Sequence, residues 1–225
     1  MEKANWEKLI DNLVKEGDLH SVNIIRAMRT VPRAIFIPVN MQAYSATETP
    51  IQIGFGQSIS APQIVAVMNE ALELEMGCKV LEVGAGSGWQ AAIMAEIVSP
   101  KEAPRSGWGH VYAVEIIPAL AEVARKNVMN AGYGDRVSVI NGDGSTGYTQ
   151  KAPYDRIVVT AAAPKIPKPL VDQLKEGGVL LIPVGSPFLF QKLLKLTKQP
   201  DGRIKEENLG NVSFVPLIGE FGHKT

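Results

Sequence analysis

Trp6, Leu9, Ile10, Leu13 and Val14 fall on one face at helical spacing, and Gly17 is placed to end that helix. A second helix is expected over 22–29, before Val31-Pro32, followed by a short apolar join at 36–38. The periodicity then lapses. Residues 46–62 are rich in Thr, Ser, Gly and Gln and predict a loop with short extended pieces. Helical spacing returns over 62–74, where Ile64, Val65, Met68, Ala71 and Leu72 share the inner side.

From residue 79 onward short apolar runs alternate with helical patterns. Strands are expected at 79–83, 110–115, 136–141, 155–160 and 178–184, with helices at 89–98, 119–131 and 167–174 between them. Such alternation predicts an α/β fold with a mostly parallel central sheet and helices on both faces. Two later apolar runs, 191–196 and 212–218, flank the turn at 200–202 and predict an antiparallel edge pair. Residues 99–109 form a long polar loop in which Trp108 either packs on the surface or shapes a nearby pocket. The division expected is an N-terminal helical cap with an acceptor-site loop, 1–62, and a cofactor-binding core, 63–225.

The 225 residues suit one large domain with a small appendage. Lys plus Arg and Asp plus Glu balance at 23 each, which argues against a strongly electrostatic nucleic-acid binder. Cys78 is the only cysteine, so an internal disulfide and a multi-cysteine zinc site are excluded. The three histidines, His20, His110 and His223, lack metal-ligand spacing. No signal-peptide core and no membrane-length apolar run is present, so a cytoplasmic protein without a membrane partner is expected.

The segment Val80-Leu81-Glu82-Val83-Gly84-Ala85-Gly86-Ser87-Gly88-Trp89 runs from a strand through three glycines into a helix. Small residues let a backbone approach a ligand at the carboxyl end of the first strand. The G-x-G-x-G spacing differs from the dinucleotide pattern, and no G-x-x-x-x-G-K phosphate loop exists. Glu82 would repel a pyrophosphate but suits a cation such as the sulfonium and ammonium of S-adenosylmethionine. Glu115, 27 residues beyond Gly88, ends the second strand, where a carboxylate can accept from a ribose diol. Asp143 and Gly144, in Asn141-Gly142-Asp143-Gly144 after the third strand, suit an adenine: Asp143 as acceptor from its amino group, the glycines as space for the ring. Either could instead belong to an ordinary glycine-rich turn.

Gly54-Phe55-Gly56-Gln57-Ser58-Ile59-Ser60-Ala61-Pro62 precedes the helix at 62–74. Ser60 with Gln63 fits an S-x-x-Q capping box, so a structural role for its hydroxyl competes with a functional one. Thr160 and Ala161, after the fourth strand, either leave room for a peptide backbone or merely make a tight connection.

Over nearly its full length the chain resembles the protein L-isoaspartate (D-aspartate) O-methyltransferase family. The stretches that carry this are Val31-Pro32-Arg33, residues 36–38, 54–62, 80–88, 141–144, Tyr154-Asp155, 160–164 and 177–185. The resemblance implies a Rossmann-like methyltransferase fold. It implies methyl transfer from S-adenosyl-L-methionine, leaving S-adenosyl-L-homocysteine, to the free α-carboxylate of L-isoaspartyl residues in damaged proteins and peptides. The ester then collapses to a succinimide, which begins repair. It further implies Ser60 as the active-site serine, with Gln57, Ser58, Ile59, Thr160 and Ala161 near the substrate. The cofactor would lie against Glu82, Gly84, Ala85, Gly86, Gly88, Glu115, Asp143 and Gly144. A monomer is expected. Ser58 and Trp89 stand where threonine and tyrosine are common in the family, and the loop at 99–109 is longer than usual.

A carboxylate acceptor is ionised at neutral pH, so no histidine base is needed, and Ser60 is expected to orient the substrate without forming an ester. Two other readings remain at this point: an O-methyltransferase for a small acid or hydroxyl compound, and a cofactor-binding module without turnover.

Overall fold

A computed structural model describes residues 2–186 and 189–224. Helix α1 (Glu2–Glu16) buries Trp6, Leu9, Ile10 and Leu13 and leaves Val14 exposed. After α2 (Val22–Thr30) come two short 3₁₀ segments, Arg33–Phe36 and Val39–Tyr44. Within the expected loop lies a small hairpin, β1 (Ile51–Gly54) and β2 (Gln57–Ile59), in register Ile51 to Ile59. Helix α3 (Pro62–Ala71) follows, its proline at the first turn, where a missing N–H is harmless.

The core then alternates as the pattern predicts: β3 (Lys79–Val83), α4 (Trp89–Val98), β4 (His110–Glu115), α5 (Pro118–Asn130), β5 (Val137–Asn141) and β6 (Tyr154–Val159). It closes with α6 (Lys168–Asp172), β7 (Leu174–Val184), β8 (Gln191–Lys198) and β9 (Ile204–Val212). The sheet order is β5-β4-β3-β6-β7-β8-β9, the first five parallel and the last two antiparallel. Chain order runs outward from β3 through β4 to β5, then returns to β6 on the other side of β3. That reversal opens a crevice at the carboxyl ends of β3 and β6, where α/β proteins bind ligands.

Helix α4 is buried along its whole length, since the sheet covers one side and the N-terminal helices the other. Trp6 meets Trp89 edge-on with ring centroids 5.9 Å apart, and the Trp89 indole donates to the Val31 carbonyl at 3.0 Å. At the far end of α4 the buried Glu96 receives Arg26, Arg136 and Tyr133. Burial, then the Glu96 charge, pushes the Tyr133 phenol well above its usual pKa. Trp108 packs locally: its indole donates to the Pro100 and Ala103 carbonyls, and its ring contacts the guanidinium groups of Arg105 and Arg136.

The final pairing departs from expectation. Strand β9 is the polar run Ile204–Val212, because Gln199 and Arg203 close a tight turn and pairing resumes at once with Ile204 opposite Lys198. The apolar residues 215–218 instead run beside the end of β6, with Ala162 N donating to Val215 O and Leu217 N to Ala162 O, both at 2.8 Å. Their hydrophobicity reflects burial on a cavity, which a strand pattern mimics. Strand β7 begins at Leu174, earlier than the expected 178, through an irregular register against β6, so α6 is correspondingly short. Among the described residues no helix is long and apolar enough to cross a membrane, and no group of acidic, His or Cys side chains could hold a metal.

Candidate active site

Strand β3 delivers Gly84 into the crevice with φ of +98°, and a Cβ there would lie 2.5 Å from Thr160 Oγ1. Thr160 uses that space: its hydroxyl donates to Gly84 O at 2.6 Å, while Thr160 N donates to Val83 O at 3.0 Å. The ends of β3 and β6 are thus knit together directly under the glycine turn. Gly88 has another task. A Cβ on it would strike Val128 Cγ2 at 2.9 Å, so this glycine lets α4 and α5 pack closely and does not line the cavity.

The cavity above the turn has a volume of about 390 Å³. Twelve of the expected residues line it: Gln57, Ser58, Ile59 and Ser60 from the hairpin side; Glu82, Gly84, Ala85 and Gly86 from the turn; and Glu115, Gly144, Thr160 and Ala161 from the other strand ends. Its remaining walls are largely apolar, including Val65, Met68, Trp89 and Leu120.

Two carboxylates share this space in different states of satisfaction. Glu115 is 5% exposed; its Oε2 accepts from Gly86 N at 2.9 Å and its Oε1 from Ile117 N at 3.1 Å. One bond per oxygen fixes the group and leaves each oxygen able to accept another. Glu82 is fully buried, and neither oxygen has a hydrogen-bond partner among the described residues. Burial first, and the neighbouring Glu115 charge second, raise its pKa well above the ordinary carboxylate range. A buried orphaned carboxyl of this kind is costly unless a cation or donor completes it.

Asp143 is placed differently from expectation, its side chain outside the cavity lining. Its Oδ1 accepts from Ser145 N at 2.9 Å and Ser145 Oγ at 2.6 Å, and its Oδ2 from Glu220 N at 2.7 Å. Ser145 Oγ in turn accepts from Phe221 N at 3.0 Å. Asp143 and Ser145 therefore pin a C-terminal strap whose preceding residues, Val215, Pro216, Leu217 and Ile218, line the cavity.

On the acceptor side the capping alternative for Ser60 is not realised. Ala61 occupies the N-cap of α3, no side chain caps the helix, and Gln63 donates instead to Asp18. The Ser60 hydroxyl makes no hydrogen bond to another described residue. Its backbone is held by Arg33, a fully buried side chain. Arg33 Nη2 donates to the carbonyls of Thr49 at 2.9 Å, Ile59 at 3.2 Å and Ser60 at 2.8 Å, and Nη1 donates to Thr47 at 3.1 Å. Burial lowers the guanidinium pKa to about 10, partly offset by Glu48. At the hairpin tip Phe55 and Gly56 have φ of 55° and 70°, and a left-handed non-glycine residue costs roughly 1–2 kcal/mol.

Arg33 and the strap were not among the residues expected at the site. Arg33 does stand in the Val31-Pro32-Arg33 stretch, a cation inside an otherwise apolar join, which is a signal for a buried polar anchor.

Comparison with known proteins gives a consistent answer. Residues 4–222 match the family model described as Protein-L-isoaspartate(D-aspartate) O-methyltransferase. A protein-L-isoaspartate O-methyltransferase of Hyperthermus butylicus is 54% identical over 215 residues, covering 96% of this chain and 89% of that protein. One from Thermococcus sibiricus is 51% identical, covering 96% and 95%. Among solved structures, a Plasmodium falciparum protein described as a protein-L-isoaspartate O-methyltransferase, in complex with S-adenosyl-L-homocysteine, superposes with a TM-score of 0.82. It is 26% identical and the match covers 95% of this chain and 98% of that one.

Proposed function

This chain belongs to the protein-L-isoaspartate(D-aspartate) O-methyltransferase family, and we propose how its own residues carry a methyl group from S-adenosylmethionine to the free α-carboxylate of L-isoaspartyl residues. It is an enzyme, a methyltransferase acting on isoaspartyl residues of damaged polypeptides with S-adenosylmethionine as donor.

The observation that carries the residue-level reading is the fully buried Glu82, without a partner among the described residues, facing a cavity whose other wall holds the Ser60 hydroxyl, which bonds no other described residue. The residues fit the donor. Glu82 offers two vacant acceptors to a cationic methionine portion, and Glu115 offers one vacant lone pair per oxygen to a ribose diol. Gly84, Ala85, Gly86 and Gly144 keep the floor bare of side chains, so a ligand can approach the backbone. When bound, the donor supplies a methyl group on a cationic sulfur, a strong electrophile with a good leaving group.

The chain's residues then have three tasks. Ser60 donates a hydrogen bond to the substrate carboxylate or its adjacent backbone and sets its approach. No base is required, since a carboxylate with a pKa of about 4 is already ionised at neutral pH. Arg33 holds the Ile59 and Ser60 carbonyls so that this donor does not drift. The apolar walls and the strap exclude water, and orientation with desolvation contributes several kcal/mol to the rate. Gln57, Ser58, Ile59, Thr160 and Ala161 form the acceptor wall around Ser60. Gly88 acts indirectly, through the packing of α4. Asp143 acts through the strap it anchors, and an adenine contact would require its carboxylate to accept a further bond.

The test is transfer of labelled methyl to matched isoaspartyl and aspartyl peptides, with the modified position read by mass spectrometry. Labelling of the isoaspartyl member alone is expected. Transfer only to a small acid or hydroxyl compound would overturn the assignment.

A further inference from the structure

Phe55 occupies a position that its own fold gives it no reason to hold. With Gly56 it forms the two-residue turn of the β1–β2 hairpin, both residues at positive φ. Turns of this type favour Asn-Gly or Gly-Gly, where the backbone meets no penalty. The phenylalanine ring gains nothing in exchange: it is 54% exposed and joins neither buried cluster. A strained backbone and an exposed aromatic at one residue point to a contact made outside the free chain.

The hairpin's position says what makes that contact. At its base Ile53 lies close to Gly86, and the strand after the tip, Gln57 to Ile59, continues into Ser60 on the acceptor wall. A cavity of about 390 Å³ that also takes the methyl donor has no room for a polypeptide on either side of the reacting residue. The acceptor chain must therefore leave across the rim, and the hairpin tip is part of that rim.

We propose that Phe55 is a specificity-determining subsite, on which the apolar or aromatic side chain of a residue flanking the isoaspartyl packs. This rests on the reading of the acceptor wall given above. The ring takes the flanking side chain while Ser60, five residues on, takes the carboxylate.

The experiment pairs Phe55→Asn and Phe55→Tyr with two isoaspartyl peptides that differ only in a leucine or a serine beside the isoaspartyl. Methylation is measured at saturating donor, alongside thermal unfolding and S-adenosylhomocysteine titration. Asparagine suits the left-handed turn, so Phe55→Asn keeps or raises the unfolding temperature and leaves homocysteine-product affinity unchanged. It raises KM for the leucine peptide by about tenfold, as loss of one apolar contact predicts, with little effect on the serine peptide or on kcat. Phe55→Tyr retains the preference. Equal KM values for both peptides in every variant, or a fall in unfolding temperature with parallel loss of kcat on both, would overturn the proposal. Wild-type protein that methylates neither peptide would overturn the acceptor-wall reading itself, a result visible before any variant is compared.

Discussion

Arg33 Nη2 lies 2.8 Å from the carbonyl oxygen of Ser60, so the residue expected to orient the substrate is itself oriented by a cation from the N-terminal segment. The same guanidinium takes the carbonyls of Thr47, Thr49 and Ile59. Replacing Arg33 with methionine leaves the buried Ile59 carbonyl and the part-buried carbonyls of Thr47, Thr49 and Ser60 without this donor. A destabilisation of about 3–5 kcal/mol is expected in urea unfolding, with a larger proportional loss of peptide methylation than of product binding.

Ser60→Ala should behave in the opposite way. Its hydroxyl supports nothing within the described chain and does not cap α3, so stability should stay within about 0.5 kcal/mol of wild type. Loss of one hydrogen bond to a charged acceptor is worth about 1.5–3 kcal/mol, a fall of roughly 10- to 100-fold in kcat/KM. Normal S-adenosylhomocysteine affinity by calorimetry, beside that fall, is the expected pair of results; full activity would remove Ser60 from the mechanism.

Glu82 ties stability to pH. Its folded pKa stands above the unfolded carboxylate value because of burial and the Glu115 charge. The folded state therefore binds more protons than the unfolded state between those two values. This contribution to stability is complete below the unfolded pKa and is lost as pH rises through the folded one. Glu82→Gln removes the dependence. Without ligand, the variant should melt higher than wild type on the alkaline side and similarly in acid, by thermal unfolding across a pH series. It should also bind S-adenosylmethionine more weakly, and S-adenosylhomocysteine less so, since the product lacks the sulfonium charge.

Ser145→Ala cuts the bonds to Asp143 Oδ1 and Phe221 N at once. Hydrogen exchange at the Glu220 and Phe221 amides should accelerate, and KM for peptide and donor should both rise while the sheet amides keep their protection. Unchanged exchange at those two amides would show that the strap is held by other contacts.

Much of this arrangement was legible in the chain. Strands β3, β4 and β6 are largely buried on both faces, and an apolar run ending in Gly84, Glu115 or Thr160, broken in β3 only by Glu82, marks both a strand and its carboxyl end. What escaped were features set by distant contacts. The apolar run containing Val215 and Leu217 looks like a strand, and only the early closure of the turn at 199–203 assigns the pairing to 204–212 instead. Ser60 satisfies the capping pattern, yet the choice of Ala61 as N-cap is made where Arg33 holds the preceding carbonyls. Asp143 sits in the expected turn, but while its Oδ1 serves the neighbouring Ser145, its Oδ2 accepts from Glu220 N, 77 positions later, a pairing no local spacing reveals.

The polar strand β9 leaves one margin of the sheet open. Lys205, Glu206 and Glu207 stand along it, with Lys205 and Glu207 within 3.2 Å of each other, and most of its residues are exposed. A charged margin discourages a second chain from adding itself by backbone pairing. For a methyltransferase that meets damaged polypeptides, such a margin disfavours capture of a client strand along the sheet edge.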